Sequence, residues 1–253
     1  MPRQARFKSE SGLYHIMLRG INQQLIFKDV EDNMKFIETL KNYKIISGYK
    51  IYAYCLMGNH IHILLKAEKE GLEQIMKRIG GSYVYWYNWK YYRRGHLFQE
   101  RFKSEPIFDE EHFATVLRYI HQNPGKAGLC KNLDEYKFSS YNEYINEIEI
   151  NEKSGVVDAD FTFEIISKDY FIEYNNESNG DECMDIKDSD FRLNDIDAKK
   201  VIQKISKCKN ISEFQELEIK KRNRYLKNFK EKGLSIRQIS RLTGIRKGIV
   251  GKI

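Results

Sequence analysis

His60 and His62, with one residue between them, are the first place in this 253-residue sequence where spacing alone suggests chemistry. Ile61 and Ile63 alternate with the two imidazoles. Side chains along a β-strand point to opposite faces in turn, so both histidines project to one side and both isoleucines to the other. Neutral imidazoles a few ångströms apart are a ready pair of divalent-metal ligands. The same pattern also suits two hydrogen-bonded histidines on a half-exposed sheet. Two ligands make an incomplete site, and a third donor has to come from elsewhere.

Tyr119 and Asn123 are the candidates that complete it. Four residues apart on a helical stretch, they share one face. An amide oxygen ligates a hard cation, and a phenol one turn earlier would lie beside that cation. The chain holds 17 tyrosines, so a tyrosine four residues before an asparagine also arises by chance. Core packing is the ordinary role for such a residue.

The elements that must position these groups are legible from periodicity. Residues 14–18 read as a strand, and 29–47 carry Met34, Phe36, Ile37, Leu40 and Tyr43 at helical spacing before Gly48 stops them. Residues 51–56 and 61–65 are apolar, β-branched and aromatic runs joined around Gly58 and Asn59, which is a hairpin signal. A second helix follows from the stripe Leu72, Ile75, Met76, Ile79, Tyr83 and Trp86. Residues 98–107 read as extended, and 110–122 as a helix ended by Asn123 and Pro124. Strand, helix, strand, strand, helix, strand, helix predicts an α+β domain over 1–146, an antiparallel sheet with helices packed against it.

Charge divides the remainder. Net charge is +6 over 1–146, −12 over 147–197 and +13 over 198–253. The middle stretch, acidic and Asn-rich, reads as a linker or a loose helical appendage. In the basic stretch, Ser235 and Gln238 start a helix with Ile236, Ile239 and Leu242 as its buried stripe. Thr243 and Gly244 turn the chain into a second short helix with Ile245, Ile249, Val250 and Ile253. The unit resembles a helix-turn-helix, and Arg237, Arg241, Arg246 and Lys247 are its candidate DNA contacts; a plain packing hairpin is the alternative. Four cysteines without a CxxC pair argue against a disulfide framework or zinc finger and for a reducing cytoplasm. Residues 1–11 are polar and predict no export signal, and no apolar run is long enough to cross a membrane.

Three blocks, 56–64 (LMGNHIHIL), 95–104 (GHLFQERFKS) and 118–129 (RYIHQNPGKAGL), occur in that order. Together they resemble the single-tyrosine transposases of the His-hydrophobic-His (HUH) superfamily, specifically the REP-associated tyrosine transposases. The likeness covers roughly residues 5–146. It implies a ferredoxin-like sheet bearing the two histidines and a helix bearing a nucleophilic tyrosine, with the third ligand four residues later. Placed on this sequence, those are His60, His62, Tyr119 and Asn123. It further implies Mg²⁺ or Mn²⁺, a homodimer, single-stranded or hairpin DNA, and a 5′-phosphotyrosine intermediate. The usual branch motif has valine where this chain has Gly125.

Other residues carry weaker signals. Arg101 and Lys103 alternate along the extended segment, either to hold phosphates or as a solvated edge. Tyr85, Trp89 and Tyr92 fall away from their helix's apolar stripe; packing against the sheet is favoured over stacking on bases. His15, His96, His112 and His121 lack a metal-ligand partner at a persuasive spacing and read as structural. A non-enzymatic DNA-binding regulator and a metal-dependent nuclease acting through activated water are the competing functions.

Overall fold

The computed structural model describes residues 7–150, 155–181, 183–184, 195–208, 210–232 and 234–253. They form two compact units, one from the described residues up to 184 and one from 195 onward.

The first unit opens with β1 (Leu13–Arg19), α1 (Val30–Ser47), β2 (Lys50–Met57), β3 (His60–Lys66), α2 (Leu72–Lys90), β4 (Lys103–Pro106) and α3 (Glu110–Lys126). The strands lie in the order β2-β3-β1-β4, with every neighbouring pair antiparallel. This is the ferredoxin-like α+β arrangement expected from the sequence. Gly58 and Asn59 alone separate β2 from β3. Asp29 starts α1 through a capping box with Asp32, and Gly48 ends it in the left-handed region at φ 62°. Of its expected apolar residues, Phe36 and Leu40 are buried, whereas Met34 is 55% exposed.

Strand alternation gives the sheet two different faces. Ile16, Leu18, Ile61, Ile63 and Leu65 form one core with Phe36 and Leu40 of α1 and with Ile75, Ile79 and Tyr83 of α2. On the other face, Ala53, Cys55 and Leu64 pack with Phe113, Val116, Leu117 and Ile120 of α3. The histidines share this second face, so α3 is the helix that covers them.

Two boundaries differ from expectation. Helix α3 does not end at Asn123 and Pro124 but continues to Lys126. Proline removes the bond to Ile120, yet the ladder resumes from Ala127 N to Asn123 O at 3.0 Å and from Leu129 N to Pro124 O at 2.9 Å. The extended segment 98–107 is also broken, with only Lys103–Pro106 forming a strand. The register Met17↔Lys103 would bring Gly20 opposite Glu100, but Gly20 bridges to Phe98 instead. Two residues are therefore extruded, and Arg101 lies in that bend rather than on a strand face beside Lys103.

Beyond α3 come α4 (Tyr141–Ile150), α5 (Ala159–Ile165) and α6 (Lys168–Asn176). The part of the acidic stretch carrying α5 and α6 is stitched to the edge strand. Asp158 accepts from Ile51 N at 2.9 Å and pairs with Lys44 at 2.7 Å. Tyr144 Oη donates to Tyr52 O at 2.6 Å and lies 2.8 Å from Thr162 Oγ1. The first unit thus runs past the change in charge at residue 147.

The second unit contains α7 (Asp195–Ser206), α8 (Ile211–Gln215), α9 (Ile219–Glu231), α10 (Ile236–Thr243) and α11 (Lys247–Lys252). Ser235 caps α10 by accepting from Gln238 N at 3.2 Å, and Gly244 closes it at φ 70°. Ile239, Ile245 and Val250 enter a core with Phe214, Leu226 and Phe229. Ile236 and Ile249 remain 41% exposed. Ile236 stands at the first helical position, and the six-residue α11 buries only Val250. No helix among the described residues is long and apolar enough to cross a membrane, and no disulfide joins the four cysteines among the described residues.

Candidate active site

The antiparallel register places His62 opposite Met17 and His15 opposite Leu64. His15 and His62 are therefore diagonal neighbours on one face, and their rings meet: His15 Nε2 lies 2.9 Å from His62 Nδ1. Both residues are fully buried. On the other side of β1, Glu105 stands opposite His15 in register, its Oε2 3.7 Å from His15 Nδ1. His15, facing it at this distance, holds the Glu105 carboxyl below the usual carboxylate range.

This row fixes protons. A carboxylate beside His15 Nδ1 favours the proton on that nitrogen, so Nε2 accepts from His62 Nδ1–H. His62 Nε2 then keeps its lone pair. Burial pushes the His62 pKa well below its ordinary value, and the neighbouring His15 and His60 add to the effect, which keeps the ring neutral. His62 Nε2 is buried with no hydrogen-bond partner. Such an atom costs on the order of 1–3 kcal/mol unless something binds it.

His60 lies beside it, the ring centroids 5.2 Å apart and the planes nearly perpendicular. Its Nδ1 is 2.7 Å from Asn59 Oδ1. An amide oxygen only accepts, so His60 Nδ1 donates and its Nε2 also carries a lone pair. Both imidazoles thus present the nitrogen that a metal needs, with Asn59 and the His15–Glu105 pair orienting the rings from behind.

Helix α3 brings Tyr119 onto this pair. Its ring centroid lies 5.7 Å from His62 and 6.0 Å from His15, edge-on to both. Tyr119 is 4% exposed, and Lys126 Nζ sits 5.3 Å from its ring centroid. Asn123, one turn later on the same helix, is also buried. Phenol and imidazoles meet within a single chain. Among the described residues, no group of three His, Cys, Asp or Glu side chains is arranged to hold a metal, so a two-histidine site needs a donor of another type.

The other sequence candidates fall elsewhere. Arg101 and Lys103 are exposed. Arg237, Arg241, Arg246 and Lys247 are all exposed in the second unit, on and between α10 and α11. Tyr85, Trp89 and Tyr92, for which packing was favoured, stand in solvent at 80%, 72% and 98% exposure. His15, read as structural, is instead the partner of His62. A polar residue at an inward position of the apolar strand 13–18 was the signal for it. His121 is structural, bonded to Asn175 Oδ1 at 2.8 Å and Ser140 Oγ at 2.9 Å. Glu105 and Lys126 left no sequence signal, since each is an ordinary charge until the fold places it.

Residues 8–123, which carry both histidines, Tyr119 and Asn123, match the family model described as "Transposase IS200 like". Over those 116 of its 253 residues the chain is similar to the IS200-like transposases. The matched part is that of a DNA transposase. Two solved structures resemble this transposase. A REP-associated tyrosine transposase bound to a REP hairpin is 14% identical, with a TM-score of 0.49, covering 73% of this chain and 100% of its own. A Deinococcus radiodurans R1 protein described as a transposase is 19% identical, with a TM-score of 0.33, covering 48% of this chain and 97% of its own. None of the curated proteins matches the chain.

Proposed function

We propose that this transposase cleaves and rejoins single-stranded or hairpin DNA with Tyr119 as nucleophile, as a member of the REP-associated branch. The observation that carries the reading is the Tyr119 ring against His62, whose buried Nε2 has no hydrogen-bond partner. The orphaned nitrogen, the neutral ring and the second imidazole suit a divalent cation. His60, His62 and the Asn123 amide oxygen would hold Mg²⁺ or Mn²⁺. When bound, that ion would polarise the scissile phosphate and neutralise charge developing in transfer.

The chain's own groups do the rest. The Tyr119 hydroxyl attacks phosphorus, the bond to the 3′-oxygen breaks, and the chain becomes linked as a 5′-phosphotyrosine. The phenol gives up a proton and the leaving 3′-oxygen gains one. A phenol of ordinary pKa near 10 is a poor nucleophile at neutral pH, and the Lys126 ammonium, 5.3 Å from the ring centroid, offsets negative charge that develops in the transition state. Because the phosphotyrosine conserves a high-energy bond, a 3′-hydroxyl can reverse the step and join a new strand.

Arg101 and Lys103 hold phosphates near the centre, and the basic second unit contacts DNA through Arg237, Arg241, Arg246 and Lys247. The three-part organisation, with a catalytic body over 1–146, an acidic stretch and a basic DNA-binding unit over 198–253, belongs to this proposal. So does a homodimer as the working form.

Incubation with hairpin DNA and Mg²⁺ or Mn²⁺ should give a protein–DNA adduct that survives denaturing electrophoresis. Tyr119→Phe should still bind the DNA and form none. An undiminished adduct in that variant would remove Tyr119 from the mechanism. Cleavage with no adduct in either protein would point to an activated water.

A further inference from the structure

Helix α2 has one face that the transposase core does not use. Its inner side buries Leu72, Ile75, Met76, Ile79, Tyr83 and Tyr87. On the outer side, Arg78, Gly81, Tyr85 and Trp89 follow one another at intervals of three, four and four residues, one continuous helical stripe. Tyr92 stands in the turn just after the helix ends at Lys90. The three rings are the 80%, 72% and 98% exposed residues. Aromatic side chains normally bury most of their area, and three exposed in succession mark a surface that meets something.

Two details sharpen this. Tyr92 takes a left-handed backbone conformation, φ 50°. L side chains avoid that region, and with its ring in water no packing compensates. Gly81, which weakens a helix interior, leaves open space where a side chain would project, with nothing within 4 Å. The stripe is thus bare at one point and flat beyond it.

Charge identifies the occupant. From Gln74 to Gln99 the sequence contains Lys77, Arg78, Lys90, Arg93 and Arg94 and no Asp or Glu. Arg78 reaches back to Glu70, and Lys90 is held by Asp29, Glu31 and Asp32. Lys77 and Arg94 remain exposed to solvent. Aromatic rings spaced about 6 Å along a helix axis and bordered by cations suit unpaired bases on a phosphate chain. A duplex hides its base faces, and an apolar protein partner would gain nothing from the cations.

The stripe also leads to the reaction centre. Beyond Tyr92 the chain pairs with the end of β1, with Leu97 O accepting from Ile21 N at 2.8 Å and Gln99 N donating to Arg19 O at 2.8 Å. Arg19 is the register partner of His60, and Gly20 N donates to Asn59 O at 2.9 Å. A strand lying along α2 from Arg78 to Tyr92 therefore arrives at the end of the sheet that carries His60.

We propose that the outer face of α2 is a platform for single-stranded DNA, on which bases stack against Tyr85, Trp89 and Tyr92 while Arg94 meets the phosphates. This rests on the reading that the transposase acts on unpaired DNA, but not on Tyr119 being its nucleophile.

The test uses the full chain carrying Tyr119→Phe, so that nothing is cleaved, and Trp86→Phe, so that Trp89 is the only indole. Titration with a twelve-nucleotide oligothymidylate should quench Trp89 emission to saturation. Replacing Tyr85, Trp89 or Tyr92 by serine should weaken binding of the same labelled oligomer about tenfold each, with melting temperature and Mn²⁺ affinity unchanged. An unquenched indole, or oligomer affinity indifferent to all three substitutions, overturns the proposal. So does emission that changes with protein concentration alone while the serine variants lose self-association in sedimentation. That outcome would make the stripe a contact between two copies of the chain. Loss of the covalent adduct in Tyr119→Phe tests cleavage separately, and a positive quenching result stands whichever way that falls.

Discussion

His15 Nε2 and His62 Nδ1 lie 2.9 Å apart in a region closed to solvent, with Glu105 behind His15. Of all the contacts in the site, this one decides which nitrogen of His62 faces the proposed cation. Removing the back partner frees the His62 ring to rotate or to exchange tautomer, and outer partners of this type typically carry 10–100-fold in metal affinity. His15→Phe, which keeps ring volume, should weaken Mn²⁺ binding by roughly that factor in calorimetric titration. Glu105→Gln should cost less, because it removes only the preference for one tautomer. Equal Mn²⁺ affinity in His15→Phe and the parent would show that the row is only packing.

Lys126 approaches the Tyr119 ring at 5.3 Å. A cation near a phenol stabilises the anionic transition state of its attack. Lys126→Met should slow adduct formation about tenfold at neutral pH while leaving hairpin affinity nearly unchanged, as followed by single-turnover gel assays. Loss of affinity with an unaltered rate would make Lys126 a simple phosphate contact.

A different histidine sets the acid limit of the fold. Burial pushes His121 down to about 4, partly opposed by its bond to Asn175. The folded pKa is below the unfolded value of about 6.5, so the stabilisation is complete above the unfolded pKa and is lost as pH falls toward 4. The shift corresponds to roughly 3 kcal/mol over that window. Melting temperature should fall steeply between pH 6.5 and 4.5. His121→Gln, which stays neutral, should be less stable at pH 7.5 but show a flatter acid slope. Parallel slopes would assign the acid loss to other groups.

These residues also show what a sequence discloses. The H-x-H pair and the strand–helix order were readable because alternation and helical spacing are local, and each translates directly into a face. The Tyr119–Asn123 pair was readable for the same reason. The His15–His62 contact was not readable, because the two residues lie 47 apart and only the β1–β3 register makes them neighbours. The extruded Glu100 and Arg101 followed from a register offset that no local pattern carries. Tyr85, Trp89 and Tyr92 were expected to pack, since large aromatics usually do; their exposure depends on α1 and the sheet already filling the inner face of α2.

The second unit makes a claim that salt can test. Arg237 and Arg241 on α10, with Arg246 and Lys247 at the start of α11, are exposed around the left-handed turn at Gly244. Their side chains are set by a small core of Ile239, Ile245 and Val250, so replacing them should leave folding intact. If each meets a phosphate of duplex DNA, each releases about one counterion, and log affinity falls with log salt by about 0.9 per contact. Substituting all four by glutamine should therefore reduce that slope by roughly 3 to 4 and weaken duplex binding most at low salt. Binding of the short oligothymidylate, assigned to α2, should change far less. A parent-like slope in the fourfold variant would reduce this helix pair to a packing hairpin.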